Sequence, residues 1–370
     1  MNELFNLEKA VLLYDCSKEN LIYQENMHIQ LPVYSITKIM TAMVAIEEVP
    51  DLENAELTIM PECMHGIEYQ LNSLAGFELH INERYTVLDL LYGCIVSSGC
   101  EAALQLAYYV GKGSINDFMA LVHKKLIQLG CLDTQFIDPT GCSDENRSTA
   151  ADICTILQYA MRNPLFRKIT STSFCRFAGF PEANWSTNKL INPRYWQESF
   201  FPYAIGGKTG STVVDGVNRK NLACMFERAG REYIGIILND YAPQNECLDI
   251  LTNIEPIYPH MISLLEKEFS KQPYMRIQLP QHYISAEAGT AFSLLPELTF
   301  TNCDDLPIFR WLSTDETIAT VNASGFVKVL RPGITQIIVT TQTGDYDFCQ
   351  LNSTGCDELT INRPNINLYQ

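Results

Sequence analysis

The chain has 370 residues, with 26 Lys and Arg against 43 Asp and Glu, a formal net charge of −17. At about 150 residues per domain the length predicts two domains or three, and 46 % hydrophobic with 19 % charged residues excludes general disorder. The acidic balance argues against nucleic acid or an anionic membrane as the main partner, because both require a basic face. No apolar run approaches the roughly 18 residues of a membrane helix, and the opening MNELFNLEKA lacks the layout of a signal peptide. Thirteen cysteines do not close into a disulfide framework. Most of them, such as Cys94, Cys131, Cys154 and Cys224, stand singly in apolar runs, as small buried hydrophobes do. With no CxxC or HExxH and six scattered histidines, no metal site is expected.

In chain order, residues 9–23 predict a strand, a turn and a second strand: KAVLLYD, CSKEN and LIYQ. From Ser35 onward Ile39, Met43 and Ile46 recur at helical spacing, which predicts a helix with one buried stripe. Residues 86–110 predict two helices, separated by Ser97, Ser98 and Gly99, with Thr86 and Asp89 as a capping pair. A helix over 115–129, a DPTG turn at 138–141 and the helix ADICTILQYAMR follow. After Pro202 strands dominate: AIGGKTGST, then the hairpin NLACMFERAGREYIGIILN turning at Arg228–Arg231, then a helix over roughly 246–269. Strands flanking a helical middle predict a mixed sheet covered by helices.

Lys271, Gln272 and Pro273 mark a change of texture. From about 275 short β-rich segments predict a small all-β sandwich. Its inward positions are Trp311, Ile318, Val321, Val327, Val329, Ile337 and Val339, with turns at Asn322–Gly325 and Pro332-Gly333.

Three short motifs carry chemistry. In Ser35-Ile36-Thr37-Lys38 the i,i+3 spacing on a helix lets the lysine ammonium reach the serine hydroxyl, and a desolvated lysine can take a serine proton. A helix start would also offer the Ser35 N–H to an oxyanion. S-x-x-K alone arises on the order of once by chance in such a chain, as a capping serine and a surface lysine. Ser98-Gly99-Cys100 alone reads as a helix start, and Lys208-Thr209-Gly210 as a turn. Their order and spacing give them meaning: S-x-x-K opening a helix, an S-x-[N] element after a helical gap, and K-T-G on a strand.

With these motifs the chain resembles the D-alanyl-D-alanine carboxypeptidases of the low-molecular-mass penicillin-binding proteins. The likeness extends through YSITKIMTAMVAIE, YTVLDLLYGCIVSSGCEAALQLA, FIDPTGCSDENRSTAADI, LFRKITST, STNKLIN and GGKTGST, over roughly 8–265. Separately, FRWLSTDETIATVNASGFVKVLRPGITQIIVTT resembles bacterial Ig-like group 2 modules. The resemblances imply an α+β fold: a β-lactamase/transpeptidase-like domain (residues 1–268) with an antiparallel sheet flanked by helices plus a helical lobe, a linker (269–276), and an Ig-like sandwich (277–370). The sandwich is expected to serve as a spacer or a wall-proximal positioning domain rather than to bind a specific ligand.

The family resemblance implies that Ser35 attacks the penultimate D-Ala carbonyl of a peptidoglycan stem peptide, with Lys38 as base and Ser98 relaying a proton to the leaving D-Ala. Lys208 and Thr209, helped by Thr212, would bind the terminal carboxylate, and the N–H groups of Ser35 and Ser211 would form the oxyanion hole. Gly210 completes the strand motif, and Cys100 stands where the family usually has a substrate-binding asparagine. The resemblance also implies no cofactor, covalent inhibition by β-lactams, and an extracytoplasmic location, the signal segment being absent from this chain. The two cations, Lys38 and Lys208, should each depress the other's pKa. Cys100 is a weak donor, so its presence should cost activity that Asn at 100 would restore. A redox or metal role for Cys100 finds no partner motif in the sequence. Many relatives carry an arginine shortly after the IGIILN strand, whereas here none lies between Arg231 and Arg276. No E-x-x-L-N run follows the second motif, which argues against the class A β-lactamase reading. The alternative is a catalytically weakened protein that binds or senses wall peptides.

Overall fold

The structure is a computed structural model that describes residues 8–60, 84–175, 184–195, 199–214, 217–241, 256–301, 306–353 and 360–362. The first hairpin forms as expected from β1 (Ala10–Asp15) and β2 (Asn20–Glu25). The helical middle then supplies α1 (Lys38–Glu48), α2 (Val87–Ile95), α3 (Cys100–Val110), α4 (Ile115–Leu129), α5 (Ala150–Met161) and α6 (Pro164–Thr170). A short strand β3 (Thr172–Cys175) precedes the three long strands β4 (Ala204–Val214), β5 (Val217–Arg228) and β6 (Arg231–Tyr241). Helix α7 spans Ile257–Phe269; the expected earlier part of that helix, 246–255, lies outside the described residues.

Local signals account for these boundaries. Thr86 and Asp89 close a capping box at the start of α2, with the Asp89 N–H donating to Thr86 Oγ1 at 3.0 Å and the Thr86 N–H to Asp89 Oδ2 at 3.0 Å. Ser114 and Thr149 cap α4 and α5 by accepting from the N–H groups of Asp117 and Asp152. The β5–β6 turn has Ala229 at φ 50° and Gly230 at φ 73°, the two positive values a tight hairpin needs.

The main sheet runs β2-β1-β6-β5-β4 and is antiparallel throughout, not mixed. Hairpins impose this within β1–β2 and β4–β5–β6, and β6 returns beside β1 in the opposite direction. Alternate side chains feed two cores. Ala10, Leu12, Ala223, Met225, Ile234, Ile236 and Leu238 join α1–α5 on one face. Val11, Leu13, Leu222, Cys224, Phe226 and Ile237 join Met261 and Leu265 of α7 on the other. Burial on both faces explains why AVLL reads as a continuous apolar run.

Beyond α7 the elements among the described residues are strands: β7 (Tyr274–Gln278), β8 (Tyr283–Ala286), β9 (Ala291–Ser293), β10 (Glu297–Thr301), β11 (Arg310–Ser313), β12 (Ala319–Val321), β13 (Phe326–Val329), β14 (Gly333–Thr340) and β15 (Tyr346–Ser353). Sheets β8-β15-β14-β11 and β9-β13-β12 enclose a core that includes Val327, Val329, Ile337 and Val339, with Trp311 and Val321 packed against it. The residues expected as a linker, 269–276, hold the end of α7 and the start of β7, and bury Phe269, Tyr274 and Met275. A last strand, β16 (Thr360–Asn362), pairs back onto β3. Cys349 is a buried thiol, and the other two cysteines of this part of the chain, Cys303 and Cys356, lie outside the described residues.

The all-β unit is docked on the sheet. Ile338, Tyr346 and Phe348 enter the same core as α7. At its centre the fully buried Asp345 carboxylate accepts from Tyr203 Oη (2.9 Å), Arg228 Nη2 (3.0 Å), the Met275 N–H (2.9 Å) and Thr343 Oγ1 (2.6 Å). The Arg228 guanidinium also stacks 4.8 Å from the Tyr274 ring centre. Removing one partner of a buried ion pair strands the other charge. Asp345→Ala is therefore expected to lower unfolding free energy by about 3–5 kcal/mol, read as a reduced urea midpoint; a loss below about 1 kcal/mol would contradict this account.

Candidate active site

The segment expected to begin an α-helix at Ser35 begins instead as a 3₁₀ turn, Tyr34–Thr37, and α1 starts at Lys38. At three residues per turn, positions i and i+3 stack one above the other. Lys38 Nζ accordingly donates to Ser35 Oγ at 2.9 Å. Ser35 is half-buried and lies in the first turn, where backbone N–H groups have no intrahelical partner. Lys38 has no exposed surface, so the surface-lysine reading fails. Its other acceptors are the Thr140 carbonyl at 2.7 Å and Cys100 Sγ at 3.3 Å.

The α2–α3 connection brings the second motif to the same place. Ser97 Oγ (3.2 Å) and the Gly99 N–H (2.9 Å) both donate to the Gly93 carbonyl, which fixes the turn, and Cys100 becomes the first residue of α3. Ser98 Oγ accepts from Lys208 Nζ at 2.8 Å. Ser98 (φ 64°) and Tyr34 (φ 49°), next to Ser35, both hold left-handed backbone. Such conformations cost on the order of 1–3 kcal/mol each in a non-glycine residue and concentrate at functional sites.

Strand β4 carries the third motif. Lys208, Gly210 and Thr212 stand opposite Ala223, Asn221 and Arg219 of β5 and so share one face of the sheet. Lys208 is buried and also donates to the Thr209 carbonyl at 2.8 Å. Thr209 Oγ1 meets Thr187 Oγ1 at 2.8 Å, and Ser211 is exposed. Gly210 lets the strand lie against the turn that bears Ser35: a Cβ there would come within 2.7 Å of the Val33 carbonyl and 3.3 Å of the Ser35 nitrogen. The Asn221 side chain donates to the Pro32 carbonyl at 2.9 Å and holds the same contact from β5.

The DPTG segment, expected as a simple turn, is a wall of the site. Asp138 Oδ1 accepts from the Thr140 N–H (2.7 Å), the Gly141 N–H (2.8 Å) and Thr140 Oγ1 (2.6 Å), an Asx turn. Asn146 Oδ1 accepts from the Ile137 N–H at 2.6 Å, and Thr41 Oγ1 donates to the Pro139 carbonyl at 2.6 Å. This locked loop presents the Thr140 carbonyl to Lys38 and Cys142 Sγ to Cys100 Sγ at 3.4 Å.

Burial, and then the Lys38 charge, push Lys208 down to about 7. The expected mutual depression stops there. Burial lowers Lys38 as well, but the charge on Cys100, with lesser help from Cys94 and Cys142, more than offsets it, and the Lys38 pKa is raised. The Cys100 thiol is lowered to about 5 by its hydrogen bond with Cys142, against burial and with the aid of Lys38. Burial raises the neighbouring Glu101 carboxyl to about 7.

The three motifs therefore converge as two hydrogen-bonded groups, Ser35–Lys38–Cys100 and Ser98–Lys208–Thr209, coupled through the charges of Lys38 and Cys100 on Lys208, with Gly210 beside them. Ser211 and Thr212 continue along β4 toward the exposed end of the strand. Sequence reasoning missed Thr140, Cys142, Thr187 and Glu101. The Asp-Pro-Thr-Gly turn signal was the available pointer to the first two, while Thr187 reaches the site through a contact distant in sequence. Arg219, opposite Thr212, donates to Asn239 Oδ1 at 2.6 Å. Among the described residues no group of three or more His, Cys, Asp and Glu side chains could hold a metal ion, and no helix is long and apolar enough to cross a membrane.

Comparison with known proteins shows what the chain is similar to. Residues 283–347 match the model for the bacterial Ig-like domain (group 2). The chain is 27 % identical over 253 residues to the D-alanyl-D-alanine carboxypeptidase DacF of Bacillus subtilis, covering 66 % of this chain and 60 % of that protein. It is 28 % identical over 212 residues to a D-alanyl-D-alanine endopeptidase of Pseudomonas aeruginosa, covering 55 % and 65 %. The chain thus spans less than two thirds of the length of either relative. The crystal structure of the Streptomyces K15 DD-transpeptidase shares the fold, with a TM-score of 0.58 at 23 % identity over 70 % of this chain and 94 % of that one. The model for D-alanyl-D-alanine carboxypeptidases of the S11 peptidase family matches residues 7–241, and the chain belongs to that family.

Proposed function

We propose that the protein is a serine-type D-Ala-D-Ala carboxypeptidase that trims stem peptides of peptidoglycan in the extracytoplasmic space. Residues 1–268 would form its catalytic domain and residues 277–370 its Ig-like domain. One observation carries the reading: a fully buried lysine, Lys38, 2.9 Å from the half-buried hydroxyl of Ser35. In this mechanism Ser35 Oγ attacks the carbonyl of the penultimate D-Ala and passes its proton to Lys38 Nζ. The raised pKa of Lys38 demands a further acceptor, and the Cys100 thiolate, 3.3 Å away, fills that role. The base is the Lys38–Cys100 pair, which shares one proton.

The N–H groups of Ser35 and Ser211 stabilise the oxyanion. Ser98, bonded to Lys208, delivers a proton to the leaving D-Ala nitrogen. Lys208 and Thr209, with Thr212, hold the terminal carboxylate, a charge-assisted pairing that favours a free C-terminus as substrate. Water then hydrolyses the acyl-enzyme. β-Lactams, which carry a carboxylate beside a strained amide, acylate the same serine. On this reading Asn at position 100 no longer restores activity, because it removes the anion that serves Lys38.

Two expected outcomes test this. A fluorescent penicillin should label the intact protein covalently, Ser35→Ala should abolish the label, and a D-Ala-D-Ala pentapeptide should release D-Ala. Labelling without release would favour a wall-peptide sensor. The pH profile follows from the two lowered groups. The Cys100 thiolate is lost as pH falls through about 5, and the Lys208 cation is lost as pH rises through about 7. Plotted against pH, kcat/KM should be a bell between these limits, with the upper limb carried by KM. An upper limb carried by kcat alone would contradict the carboxylate role of Lys208.

A further inference from the structure

We propose that Cys100 and Cys142 are a hydroperoxide-sensitive thiol pair that closes to a reversible disulfide inside the candidate active site. The two sulfurs lie 3.4 Å apart, in contact, so bonding requires only a small approach. They come from parts of the chain that are independent of each other. Cys100 is the buried first residue of α3, at a helix N-terminus that favours thiolate. Cys142 is half-buried and sits on the 138–146 loop, its N–H donating to Thr140 Oγ1 at 3.0 Å. The Asp138 carboxylate pins that loop through four hydrogen bonds from backbone and hydroxyl groups of Thr140, Gly141 and Ser143, so Cys142 is held in place against Cys100. Lys38 Nζ, 3.3 Å from Cys100 Sγ, supplies the cation that keeps this sulfur nucleophilic. The other thiols contrast with it: burial pushes Cys16, Cys94, Cys131, Cys154 and Cys175 up to about 12.

The chemistry balances with hydrogen peroxide as oxidant. The Cys100 thiolate attacks one peroxide oxygen, the O–O bond breaks, and the departing hydroxide takes a proton to leave as water, giving a sulfenic acid. Cys142 sulfur then attacks Cys100 sulfur, the S–O bond breaks, and hydroxide departs with the Cys142 proton as a second water. Two thiols and one peroxide give one disulfide and two waters, two electrons passing from sulfur to oxygen; a dithiol reverses the change. A small oxidant suits the buried Cys100.

Oxidation takes the thiolate away from Lys38. The groups that face Lys38 are Ser35 on its own turn, Cys94 of α2, Cys100 and Glu101 of α3, Cys142 of the loop and Lys208 of β4. Once the pair is bonded, no low-pKa anion remains among these, and Lys38 alone must lose a proton before it can serve Ser35. The acid limb of acylation then moves upward in pH, and activity near neutrality falls. This last step rests on the proposed acyl-transfer function; the disulfide itself does not.

The reduced full-length protein is treated with a small excess of hydrogen peroxide, quenched with acid and digested without reductant for mass spectrometry. The expected product is a pair of peptides carrying Cys100 and Cys142, linked and lighter than their sum by two hydrogens, and released by dithiothreitol. In Cys142→Ala the expected product is oxygen added to Cys100 with no link. Fluorescent-penicillin labelling at neutral pH should slow by about tenfold or more on oxidation and recover with dithiothreitol. Absence of the link, or links scattered over other cysteines, would overturn the proposal. A link that leaves the labelling rate unchanged would overturn its effect on the site. A link in a protein that penicillin never labels would uphold the disulfide and refute the acyl-transfer reading instead.

Discussion

Lys38 carries an amine with no exposure to solvent, and the rest of the site is arranged around that fact. An ammonium taken out of water loses several kcal/mol of hydration unless donors and acceptors around it make up the difference. Three elements far apart in sequence do so here: the 3₁₀ turn through Ser35 Oγ, α3 through Cys100 Sγ, and the 138–146 loop through the Thr140 carbonyl. The turn is itself locked by Gly210 and Asn221 of neighbouring strands, and the loop by Asp138 and Asn146. The left-handed backbones of Tyr34 and Ser98 are the local cost of placing two hydroxyls beside two lysines.

The charge arithmetic of the whole chain is inverted at this point. The protein bears −17, yet its site brings two buried lysines close enough for the charge of one to lower the other. An anion, the Cys100 thiolate, lies 3.3 Å from Lys38 and sets the two lysines apart: Lys38 is raised and Lys208 lowered. A neutral asparagine could hydrogen-bond in the same place but could not separate the two pKa values in this way.

Much of this was legible in the sequence, for identifiable reasons. Strands and helices followed from periods of two and 3.6, because burial on one or both faces leaves that imprint. Thr86 and Asp89 announced a helix start through chemistry internal to four residues. Ser35 and Lys38 were legible as a pair because i,i+3 neighbours meet in any helix, α or 3₁₀. What the sequence did not reveal depends on distant segments meeting. The antiparallel sheet followed from the family resemblance and not from local pattern, which suggested a mixed sheet, because the return of β6 beside β1 is encoded in no short segment. Cys142 stands 42 positions from Cys100, and nothing local to either marks the other.

The docking of the all-β unit belongs to the same class of long-range effect and bears on the site. Asp345 reaches across to Tyr203, which immediately precedes β4, and to Arg228, at the end of β5. Tyr346 Oη donates to the Pro202 carbonyl at 3.1 Å, so the chain entering β4 is held at two successive residues. Strand β4 carries Lys208, whose ammonium must stay 2.8 Å from Ser98 although its own preference is for water. A strand at the edge of a sheet is paired on one side only and depends on what packs around it. β4 is that edge strand, and the Ig-like unit clamps the chain where it enters. The second domain is thereby part of the scaffold that keeps a cation in the site.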